Sequence, residues 1–283
     1  MNMNTNQQIT FFKPPVVTEH NLHRLIGDAY RIFGMQAPTK AVDVRKRLEA
    51  DANAVHLTVN RLAAGALEPD SDIDAWHADA LEQIRDAQAR QDLAQAFGRE
   101  FQRHVFATAP KYQALAYTDL EKHVGKTIAR LEAAAKHLPA GAAALDTEAV
   151  LAADAGKHLT VAREALSVLA VTSSIHLPIM DRETPLPLRN MAAIVDYPDA
   201  TIEQVQQDLS YDIRTLNGDD IAGALEIRAI ADHANDHGVD VTVVAIARGD
   251  FPGTRLSYAD RAALRQRRRN LVNAYSREVI RAR

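Results

Sequence analysis

Cysteine is missing from these 283 residues, so neither a disulfide framework nor thiolate chemistry can operate. That absence fits an intracellular or virion setting. Aromatic residues are scarce at 5%, with one tryptophan, whereas alanine is abundant. Alanine is the best helix former and a small packing residue, which favours closely packed helices over a β-sandwich. The longest apolar runs, such as AGAAAL and VTVVAIA, fall far short of the roughly 18–20 residues of a membrane span. The opening MNMNTNQQITFFKPP carries one lysine and no apolar run of signal-peptide length. A cytoplasmic or virion location, without a recognisable secretion signal, is therefore expected. A net charge of −4 argues against a wholesale nucleic-acid binder. The glycine patterns of dinucleotide and P-loop sites are absent, as is the Gly-x-Ser-x-Gly elbow of hydrolases.

What remains is mostly helical periodicity. Residues 1–18 read as an extended arm that Phe11 and Phe12 anchor and Pro14-Pro15 keep from coiling. A helical domain spans 19–177. Leu22, Leu25, Ile26, Ala29, Tyr30 and Phe33 step by three and four. Two short helices follow in TKAVDVRKRLEA and NAVHLTVNRLAAG. A long helix is expected over 72–108, its apolar pattern thinned between Ala87 and Ala96 and its end set by Pro110. Two more are expected over 117–138 and 147–175, the last capped by Asp146 or Thr147. Pro178, Pro185, Pro187 and Pro198 mark 178–200 as a linker or crossover. Residues 201–283 form a smaller helical subdomain. It contains a helix opening at Thr201, a helix ending at Gly238, and the β-branched run VDVTVVAIA, which predicts a short β-strand over 239–247. The fold class is thus all-α, a bundle of long antiparallel helices with one strand and an N-terminal arm.

Few groups suggest chemistry. In DHANDHG, His233 and His237 share a helix face at the i, i+4 spacing of two metal ligands. The order resembles the His-x-x-Glu-His of inverted zinc peptidases, but Asp236 stands where those enzymes have glutamate. The only glutamate downstream is Glu278, so a helical metalloenzyme lacks its third ligand. Histidines in a last helical turn are explained more simply by the helix dipole and free carbonyls. His20 and His23 form a weaker pair at a helix start. Arg248-Gly249-Asp250 spells an adhesion tripeptide that a turn accounts for. No catalytic, cofactor-binding or metal-binding residue is assigned, and no cofactor is expected.

Residues 42–65 loosely match a helix-turn-helix, with Asn53, His56, Asn60 and Arg61 as candidate base readers, though the turn lacks its usual glycine. The tail is the stronger signal. Residues 257–283 hold eight arginines against Asp260 and Glu278, a net +6 that leaves −10 on the rest of a chain totalling −4. Leu264, Leu271, Val272, Tyr275 and Val279 keep a thin apolar stripe through the arginines, and the wheel sets Arg268 within it. The stripe is too narrow for a membrane-surface helix, and arginine suits paired carboxylates better than lysine does. The expected partner is protein, as a homo-oligomer or a larger assembly such as a virus or phage particle, reached through Phe11, Phe12, Arg261, Arg265, Arg268, Arg269, Leu271 and Tyr275. DNA binding through 42–65 or the basic tail is the alternative, and docking of the tail on its own chain is equally open.

Overall fold

The computed structural model describes residues 10–14, 21–38, 51–66, 72–175, 184–200 and 222–275. The expected helices over 39–50 and from Thr201, most of the arm, His20 and Val279 lie outside them.

One helix organises everything else. After α1 (Leu22–Arg31) and α2 (Ala54–Ala66), α3 runs from Ile73 to Ala135 without interruption, 63 residues. At about 1.5 Å per residue it is roughly 95 Å long. Its start is fixed by Asp72, whose carboxylate accepts from the amides of Asp74 and Ala75, both at 3.1 Å. The break expected at Pro110 does not occur. A proline inside a helix removes one hydrogen bond and costs about 3 kcal/mol. Pro110 sits on the exposed side, and beyond it Ala116, Leu120, Val124, Ile128, Leu131 and Ala135 bury a continuous stripe. Burying each large aliphatic side chain contributes about 1.5–3 kcal/mol, so the tertiary gain outweighs the single lost bond.

The two halves of α3 pack differently. Along the first half, Ala80, Ala87, Ala94 and Phe101 recur every seven residues and are buried. The three alanines face Ala54, Thr58 and Leu62 of α2, which runs antiparallel, with Arg61 bonded to Gln83 and the Val55 amide 3.4 Å from Gln91 Oε1. The alanines that thin the apolar pattern are therefore the seam of a close helical hairpin.

The second half meets the main core. A 3-10 turn (Gly141–Leu145), α4 (Thr147–Ala152) and α5 (Gly156–Ser173) follow it. Asp146 caps α4 by accepting from the Ala149 amide at 2.8 Å. The single helix expected over 147–175 is split at Asp154, where φ is +53°. α5 returns antiparallel to α3, with Gln113 Nε2 donating to the Ile175 carbonyl at 2.9 Å and the His137 and His158 rings stacked at 4.2 Å. α6 (Leu186–Met191) begins behind Pro185, where proline is well placed. It leads into β1 (Val195–Asp196), which pairs antiparallel with β2 (Arg255–Leu256). α7 (Ala222–His237), α8 (Val239–Arg248) and α9 (Arg261–Ala274) complete the fold. It is all-α apart from that two-stranded sheet.

The strand expected over 239–247 is α8. A continuous apolar run does not distinguish a buried strand from a buried helix. Here residues 240–247 are buried on all sides, against α3, α7 and the 3-10 turn. Gly238 (φ +87°) admits the turn from α7, and Gly249 (φ +92°) ends the helix in the left-handed conformation. With helices around it, packing overrides β-propensity.

Two buried polar groups tie the N-terminal segments down. Asp240 accepts from the amides of Phe11 (2.6 Å) and Phe12 (2.5 Å), and Phe12 is only 2% exposed. In α1, His23 is buried between the rings of Phe101 (5.6 Å) and Tyr112 (5.2 Å) of α3, and neither ring nitrogen has a hydrogen-bond partner among the described residues. Burial, and then the nearby His104, hold its imidazole below the ordinary value of 6.5. The unfolded chain then takes up this proton more readily than the folded chain. His23 accordingly lets the fold keep full stability above pH 6.5 and erodes it as pH falls below that value. Thermal unfolding at pH 7.5 and 5.5 checks this: His23→Phe should lose less stability on acidification than the wild-type chain, and an equal loss would refute the assignment.

Candidate interaction surface on the C-terminal helix

α9 is held on its own chain at three points. At its start Asp260 accepts from the Ala263 amide at 2.7 Å. At its end Arg228 of α7 donates from Nε to the Ala274 carbonyl at 2.8 Å, with its guanidinium 5.4 Å over the Tyr275 ring. A cation there also meets the negative end of the helix dipole. Between them lies Arg267, whose side chain is 3% exposed. Its Nη1 donates to the carbonyls of Ala192 (2.9 Å) and Ser257 (3.1 Å), and its Nη2 donates to Ser257 Oγ. Asp196 Oδ1 stands 3.7 Å from Nε. Burial lowers the affinity of this guanidinium for its proton, and Asp196 offsets part of that effect. Asn270 Nδ2 reaches the Tyr197 carbonyl at 3.4 Å, and the Tyr197 hydroxyl donates to Leu188 at 2.8 Å.

These contacts correct the phase read from the sequence. The arginine on the inward side is Arg267, and Arg268 is exposed. The buried face is Arg267, Asn270, Leu271 and Ala274, an i, i+3, i+4, i+7 stripe in which two members are polar. Hydrophobicity alone overlooks that stripe and follows Leu264 and Val272 instead, although Val272 is 36% exposed. The tail helix therefore docks in cis on α7 and on the segments around residues 192–197 and 257–258.

Docking one face leaves the other outside. Arg261, Arg265, Arg268 and Arg269 are exposed along it. Among the described residues no carboxylate lies within 4.0 Å of any of them, and Arg269 bonds only to Gln266. Of the other residues expected at a partner surface, Leu271 and Phe12 face the chain's own core, Tyr275 lies half-buried under Arg228, and Phe11 packs beneath Arg163 at 5.1 Å.

The histidine pair at 233 and 237 and the tripeptide at 248–250 make contacts within the chain. His233 Nδ1 lies 2.9 Å from Thr242 Oγ1, and that hydroxyl donates to the Gly238 carbonyl, so the imidazole is the donor. His237 packs edge-on at 4.7 Å. Burial first, and His237 second, depress the His233 pKa. No group of three metal-ligating side chains occurs among the described residues. Arg248 and Asp250 clasp each other around Gly249, and Arg248 Nη1 donates to Pro139 at 2.8 Å, so this tripeptide closes α8. In the helix-turn-helix candidate, α2 uses Ala54, Thr58 and Leu62 against α3, leaving Asn53, His56, Asn60 and Arg61 exposed. His56 and Asn60 bond each other at 3.1 Å. A cavity of about 600 Å³ lies beside Phe11 between α3 and α5. The hydroxyls of Thr127, Thr160 and Ser167 that line it donate to backbone carbonyls, and Arg130 pairs with Glu164 at 3.4 Å across its rim. No described helix is long and apolar enough to cross a membrane. No protein-family model, curated protein or solved structure matches the chain.

Two neighbouring arginines thus have opposite roles, and denaturant unfolding separates them. Arg267→Ala strands the Ala192 and Ser257 carbonyls and opens a void, so a loss of about 2–4 kcal/mol is expected. Arg268→Ala should stay within about 0.5 kcal/mol of wild type. Equal losses would contradict the assigned phase of α9.

Proposed function

We propose that this chain is a non-enzymatic structural protein that works within a larger assembly, a virus or phage particle component being the setting it suits best. The observation that carries this reading is the outward face of α9, four arginines with no carboxylate partner among the described residues, on a chain of net charge −4. Exposed guanidinium groups pair well with carboxylates or phosphates. The acidic remainder of the chain favours carboxylates, because phosphate-rich polymers would be repelled by it. The long hairpin of α2 and α3 supports the reading by presenting extended lateral faces, on which Leu57, Ile73, Leu81 and Leu93 are exposed. Association would combine burial of such side chains with arginine–carboxylate contacts that set register.

Light scattering of the purified full-length chain tests this. At low salt the mass should stand well above 31.1 kDa and fall toward it as ionic strength rises. A mass of 31.1 kDa at every concentration would overturn the proposal. So would capture by duplex DNA with a steep loss of affinity in salt, which would favour the nucleic-acid reading.

A further inference from the structure

The arginine face of α9 has a counterpart on the same chain that it cannot reach. Between Asp72 and Ile84 of α3 there is no lysine or arginine, but Asp72, Asp74, Asp79 and Glu82 are all exposed, and Asp86 follows one turn later. At about 100° per residue, Asp79, Glu82 and Asp86 fall within an arc of about 60°. That arc lies about 110° from the alanine seam and so points away from α2. Arg85 is turned about a quarter of a revolution from it. Arg261, Arg265 and Arg268 fall within an equal arc on α9.

The spacings match as well. The acids are separated by three residues and then four, the arginines by four and then three. Laid antiparallel, the two helices bring Arg268 to Asp79, Arg265 to Glu82 and Arg261 to Asp86 over about 10.5 Å of axis on each. The same register sets Val272, 36% exposed, against the exposed Ala75. Asp79 accepts from Gln83 and Asp86 from Arg90, but both contacts are exposed local ones that an incoming guanidinium can displace.

Within one chain the pairing is out of reach. Tyr117 of α3 stacks on Tyr258, three residues before α9, with ring centroids 5.3 Å apart. Asp79 lies 38 residues earlier on the same helix, a separation of about 57 Å, while α9 spans only about 21 Å. A bend at Pro110 still leaves about 46 Å of helix between that point and Asp79. We infer that the occupant of the arginine face is a second copy of this chain, bound through the Asp79–Glu82–Asp86 face of its α3. This inference rests on the assembly reading above and names its partner. Two copies related by a twofold axis make the contact twice, the smallest closed assembly that leaves neither face unmatched.

Charge reversal tests it on the full-length chain. The wild-type chain should scatter as about twice 31.1 kDa at low salt. Arg265→Glu with Arg268→Glu, or Asp79→Arg with Glu82→Arg, should each weaken the dimer at least about tenfold. All four sites are exposed, so an unchanged circular dichroism spectrum confirms that the variants fold. A chain carrying all four reversals, or an equimolar mixture of the two doubly reversed chains, should regain the wild-type mass. An oligomer whose mass neither reversal changes would overturn this contact and leave the assembly reading standing. Weakening without recovery in the swapped chain would overturn it in favour of another anionic partner. A monomeric wild-type chain would overturn both readings.

Discussion

The guanidinium of Arg267 decides what the C-terminal helix offers to the outside. It is the one arginine of α9 turned inward, and its Nη donors are taken by the carbonyl of Ala192, distant in sequence, and by the carbonyl and hydroxyl of Ser257, just before the helix. A buried cation is tolerated only when its hydrogen bonds are supplied, so the site fixes the rotation of α9 to within a fraction of a turn. A rotation of one residue would place Arg268 inside and strand those acceptors. Everything outward follows from that phase. The remaining arginines of the helix are gathered on one side, with no carboxylate of the described residues within 4.0 Å. A structural contact thereby creates a charged surface without any residue dedicated to function alone.

Helix α3 plays the complementary part. Its second half belongs to the core and its first half to a hairpin closed by small residues. Ala80, Ala87 and Ala94 let α2 approach closely, and in doing so turn Asp79, Glu82 and Asp86 away from the seam. The same continuity that builds the hairpin carries these acids far from α9. The chain therefore separates its basic and acidic faces along a single rigid element, which is the condition for pairing between copies rather than within one.

Sequence reasoning recovered the class of fold and the boundaries set by strong local chemistry, such as the Asp146 cap and the end of the helix at Gly238. It failed where tertiary packing competes with local preference. Pro110 reads as a terminator, yet the buried stripe from Ala116 to Ala135 carries the helix through it. The β-branched run over 239–247 reads as a strand, yet its residues are buried all round against α3, α7 and the 3-10 turn, where a helix packs. The arginine surface was legible as composition, since four of its members were identified from charge alone. Its orientation was not, because Asn270 and Arg267 belong to the buried face and a hydrophobic wheel does not count them. The acids on α3 escaped notice for a related reason. Solvated carboxylates on a helix are unremarkable until the position of the seam shows which of them share a side.

The absence of cysteine offers a direct measurement of the central claim that these two faces meet across copies. In the inferred register Ala75 of one chain lies opposite Val272 of the next, and both are exposed. Chains bearing only Ala75→Cys and chains bearing only Val272→Cys should, when mixed and oxidised at low salt, give a disulfide-linked heterodimer, and Gln88→Cys in place of Ala75→Cys should not. A mixture that stays unlinked, or that links equally well through position 88, would contradict the account.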